Sequence, residues 1–162
     1  MWIKSLIVLC MLCLPYSAFA VGNCTQSVND FPTVTNPTTR TLTFVCTALA
    51  AEATYPATPV TSPNMNKLKG WMLMTGSAVN GSTGPKALSV ITLSTPTEGD
   101  ILGGAGKTAT AATAALASKF TPLTDTGYAT SGLVPITDSL TLAVTGNDVN
   151  AASLIIVFKF VK

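Results

Sequence analysis

The clearest alternation of apolar and polar positions lies near the C-terminus. SLTLAVT at 139–145 sets Leu140, Leu142 and Val144 on one face. SLIIVFKFVK at 153–162 is almost continuous in β-branched and aromatic residues. GNDVN at 146–150 supplies turn chemistry between them, so the pattern predicts a hairpin. The last strand is apolar on both faces apart from Lys159, which predicts a central place in a sheet or cover from another chain. Its residues Leu154, Ile156, Phe158 and Phe160 form the expected assembly strand.

Weaker patterns fill the rest. TLTFVC at 41–46 alternates with Leu42, Phe44 and Cys46 on one face, a half-buried strand. A buried strand is predicted over 68–77 from Trp71, Met72, Leu73 and Met74, and another over 87–95; NGSTGP at 80–85 is a turn. Pro56, Pro59 and Pro63 make 48–66 an extended crossing segment or loop, because proline lacks the donor a sheet needs. Residues 99–106 read as a glycine loop, and 108–119 as an Ala-rich short helix weakened by Thr108, Thr110 and Thr113. Residues 21–40 are polar and read as an N-terminal arm. The sum is an all-β chain: a single β-sandwich or jelly-roll-like domain over 21–162.

Ahead of that domain, residues 1–20 read MWIKSLIVLCMLCLPYSAFA. Lys4, an apolar run at 5–14 and Ala18-Phe19-Ala20 match a signal peptide cleaved after Ala20. The run falls short of the roughly 20 apolar residues of a membrane anchor, which is the alternative. An exported protein, periplasmic or extracellular, is expected, touching a membrane only through this segment.

Export changes the meaning of the cysteines. Cys10 and Cys13 leave with the signal peptide, and Cys24 and Cys46 remain to pair in an oxidising compartment. Such a bridge stabilises by about 3 kcal/mol in the chain-entropy model. Two free thiols or a two-Cys metal site are the alternatives, but the chain has no His to complete a metal site.

Charge removes further classes. The 9 Lys+Arg and 7 Asp+Glu are scattered, with no basic cluster, so no nucleic-acid partner is expected. Without His, neither a Ser-His-Asp nor a Cys-His arrangement can form. GGAGKT at 103–108 imitates a phosphate loop, but the first glycine of that motif is replaced by Ile101. Glu98 and Asp100 are the best carboxylate pair and sit in a turn. Asn147, Asp148 and Asn150, or Glu98 with Asp100, offer oxygens for calcium without the spacing of a calcium loop. No catalytic residue, cofactor or metal is assigned. Asn23-Cys24-Thr25 and Asn80-Gly81-Ser82 fit the glycosylation pattern. Trp71, Phe158 and Phe160 are expected in the core, Tyr55 and Tyr128 at the surface.

Three stretches in residues 87–162 carry a resemblance: ALSVITLSTPTEGDIL at 87–102, the Gly/Thr/Ala-rich middle, and SLTLAVTGNDVNAASLIIVFKFVK at 139–162. This half resembles small β-sandwich phage virion proteins, head-decoration or tail-associated, in which a last strand closes the sandwich at the chain end. The resemblance implies a non-catalytic structural subunit that self-associates or binds a protein partner. With export added, the expectation is a subunit of a virion surface or extracellular filament. The alternatives are a monomeric secreted module that holds a glycan or protein through loops 96–107 and 124–137, and then a carboxylate-dependent hydrolase.

Overall fold

The computed structural model describes residues 22–31, 39–86, 89–104, 106, 118–120 and 133–162. The strands are β1 (Asn23–Phe31), β2 (Thr39–Thr47), β3 (Thr58–Pro59), β4 (Met72–Asn80), β5 (Val90–Thr95), β6 (Gly99–Asp100), β7 (Ser118–Phe120), β8 (Val134–Pro135), β9 (Thr141–Thr145) and β10 (Ser153–Val161). Among the described residues one short helix, α1 (Ser62–Leu68), lies between β3 and β4. The chain is all-β. The strands form two antiparallel sheets, a larger one in the order β1-β2-β10-β4-β7 with β8 also on β4, and a smaller one in the order β3-β9-β5-β6.

The core lies between the sheets because each strand keeps one parity apolar. Leu42, Phe44 and Cys46 of β2, and Leu154, Ile156, Phe158 and Phe160 of β10, are all 0% exposed. They share one hydrophobic cluster with Ile91, Leu93, Leu142 and Val144 of the smaller sheet. Phe44 meets Phe158 edge to face, with ring centroids 6.2 Å apart. On β4 a bulge between the pairs Lys159–Thr75 and Phe160–Leu73 leaves Met74 unpaired, and Leu73 stays inward at 0% exposure. Trp71 is also buried, as the pattern predicts.

β10 takes the central place its composition predicts, paired with β2 on one side and β4 on the other. The hairpin does not form. β9 pairs with β5 and β3 in the smaller sheet, so residues 146–152 carry the chain from one sheet to the other. That connection exceeds the ~2–5 residues of a hairpin loop. It is pinned elsewhere: Ala48 N–H donates to Ala152 O at 2.8 Å, and the Asn147 amide donates to Ala53 O.

Two other expectations are corrected. The N-terminal arm is mostly strand: β1 runs the full length of β2 in register from Asn23–Thr47 to Phe31–Thr39. Its sequence is a poor strand former, and the free edge of β2 supplies the pairing instead. The Pro-rich segment contains α1, in which proline occupies the first turn, where its missing N–H costs nothing. Met65 and Leu68, three residues apart, bury its inner face. The predicted Ala-rich helix falls outside the described residues except for 118–119, which belong to β7.

Candidate functional site

The outer face of the larger sheet is the most unusual surface among the described residues. Parity that sends Leu42, Phe44 and Cys46 inward sends Thr43 and Val45 outward. In β10 the same rule turns Ile155, Val157, Lys159 and Val161 outward. Register then aligns them: Thr25, Val45, Ile155 and Val79 form one row across β1, β2, β10 and β4. Val45 is 48% and Ile155 38% exposed, the two exposed large hydrophobic side chains among the described residues. In the next row Val157 lies between Thr43 and Ser77. The smaller sheet presents only Thr, Ser, Ala and Val90 outward on β5 and β9.

The four residues of the expected assembly strand therefore have a different place. Leu154, Ile156, Phe158 and Phe160 fill the domain's own core, and a neighbour would meet Ile155 and Val157 instead. The outward residues were visible in the alternation, but parity alone does not distinguish a bare face from a covered one.

Cys24 and Cys46 are joined, as one of the three readings of the pair expects. They stand directly opposite each other on β1 and β2, with Cα atoms 4.0 Å apart. Two polar tethers hold the rest of β1. The Gln26 amide donates to Pro59 O at 2.9 Å, and its Oε1 accepts from Thr61 N–H at 2.9 Å and Asn64 Nδ2 at 3.2 Å. Asp30 pairs with Arg40, whose guanidinium also donates to Lys67 O and lies 4.4 Å from the Trp71 ring centroid.

Asp100, Asn147, Asp148 and Asp138 hold loops of the fold through hydrogen bonds and an ion pair. Asp100 Oδ1 accepts from the N–H of Leu93 at 3.2 Å and Leu102 at 3.1 Å, and Oδ2 from Gly104 N–H at 3.0 Å. One backbone donor of the glycine motif, Gly104 N–H, already holds this internal carboxylate. Gly106 is required for contact: an added Cβ would lie 1.9 Å from Ile91 O. Asn147 Oδ1 accepts from the N–H of Lys86 and Val149, and Asp148 pairs with Lys86 Nζ at 2.6 Å. Asp138 takes Ser139 N–H and the Thr97 hydroxyl, which hold its carboxyl below the usual range.

Tyr55, expected at the surface, is 7% exposed, and burial pushes its hydroxyl up to about 12. Tyr128 and the loop 124–132 lie outside the described residues. Of the two glycosylation patterns, Asn23 is exposed and Asn80 is buried, because Asn80 shares the inward parity of Ala78. Among the described residues no helix is long and apolar enough to cross a membrane. Comparisons with protein-family models, curated proteins and solved structures gave no match.

Proposed function

We propose that this chain is an exported, non-catalytic structural subunit that assembles through its own surface, on a virion or an extracellular filament. The observation that carries this reading is the apolar row Val45–Ile155–Val79 on the outer face of the larger sheet. Exposed β-branched side chains aligned across strands lose free energy in water and regain it against another apolar face. Four strands spaced ~4.8 Å apart and nine residues long offer roughly 600 Å² of face. That approaches the ~800 Å² per partner of a standard protein interface. Export is supported by the disulfide, which persists in oxidising compartments, and by the signal-like first 20 residues.

Light scattering and negative-stain microscopy of the purified protein test the proposal. Discrete oligomers or filaments are expected, dispersed to monomers by Val45→Lys. A strict monomer at high concentration would overturn it and favour a monomeric module binding through its loops.

A further inference from the structure

We propose that the Cys24–Cys46 disulfide is a latch on β1. Once it is reduced, the β2 edge beneath becomes a docking groove for the β1 strand of a second copy of this chain. Among the described residues β1 is an edge strand paired only with β2. Of its described side chains Val28 alone is fully buried; Cys24 and Gln26 are half-buried, and Asn23, Thr25, Ser27, Asn29 and Asp30 are exposed. A strand with so little apolar burial is held by its ladder, its polar tethers and one covalent bond. Leu42, Phe44 and Cys46, opposite Val28, Gln26 and Cys24 in the ladder, are each 0% exposed while β1 is in place.

The occupant follows from what the groove offers. Arg40 presents a cation at one end, matched by an aspartate six positions beyond the cysteine of the docking strand. Pro59 O and Thr61 N–H ask for an amide side chain in between, which Gln26 supplies. A second copy's β1 carries both groups in the same register and restores each contact the first β1 gives up. Exchange between copies then costs only the ordering of association.

The chemistry balances with a dithiol reductant. One thiolate attacks Sγ of Cys24, the half-buried residue of the pair on the edge strand, and the fully buried Cys46 leaves and takes a proton. The second thiol resolves the mixed disulfide and frees Cys24 as a thiol. Two electrons and two protons pass to the protein, and the reductant departs as a cyclic disulfide.

The test compares oxidised and dithiothreitol-reduced protein, with a fluorescent peptide of residues 22–31 carrying Cys24→Ser as probe. The peptide is expected to bind the reduced form at least about tenfold tighter, and Arg40→Glu to weaken it. Amides of 23–31 should lose about 100-fold protection from hydrogen exchange while β10 and β4 keep theirs. Equal peptide binding to both forms, or to neither, would overturn the proposal. So would a uniform loss of protection across β1, β2 and β10, which marks a global staple. Because Ile155 takes no part, the same experiment on Ile155→Lys separates this outcome from the fate of the assembly reading.

Discussion

β1 and β10 flank the same strand, β2, antiparallel and each over nine residue pairs. Backbone pairing with β2 is therefore matched, and what differs is the side chains. β10 sends four large apolar residues to 0% exposure and has β4 on its other side. Among the described residues, β1 buries Val28 alone and has no neighbour beyond. The ladder decides where a strand lies; burial and tethers decide how firmly it stays. In β10 the tether is the core itself, and in β1 it is a disulfide and two polar contacts.

The largest effect should come from breaking the β10 side. Phe158→Ala removes a fully buried ring packed edge to face on Phe44 and should cost about 3–5 kcal/mol by denaturant unfolding. A loss under about 1 kcal/mol would mean that the core does not depend on this strand. Next, the Cys24→Ser, Cys46→Ser pair should cost about 3 kcal/mol for a bridge spanning 22 residues, again by denaturant unfolding. A loss larger than that of Phe158→Ala would reverse the distinction between the strands.

Smaller still, Gln26→Ala removes the acceptor for Thr61 N–H and should cost about 1 kcal/mol. A larger loss would make the polar tether the main fastening of β1. The smallest effect lies outside both strands and serves as their control. Asp138, held below its usual pKa, adds stability above the ordinary carboxylate range. That contribution disappears as pH falls through its folded value. Asp138→Asn should flatten this part of the thermal stability profile without changing β1 or β10 protection.

Much of the fold could be read from local pattern, and its failures share a cause. β2, β5, β9 and β10 were legible because Leu42, Ile91, Leu142, Phe158 and their like repeat at period two. The hairpin was not, since nothing local tells β9 whether to pair with β10 or with β5. β1 was missed because NCTQSVNDF has almost no apolar parity; its strand state is imposed by the edge of β2. α1 was hidden by a proline that its first turn tolerates. At the candidate site, the disulfide is readable from cysteine number and the signal-like first 20 residues. The bare face was not, because Val45 and Ile155 look like core residues until their surroundings are known.

We propose that β10 divides its work, folding with its inner face and assembling with its outer one. Sedimentation velocity on the wild-type protein and on Ile155→Lys tests it most directly. Wild type should sediment as an assembly, and Ile155→Lys as a monomer with an unchanged unfolding midpoint. Undiminished assembly by Ile155→Lys, or a wild-type monomer at every concentration, would overturn this division of β10.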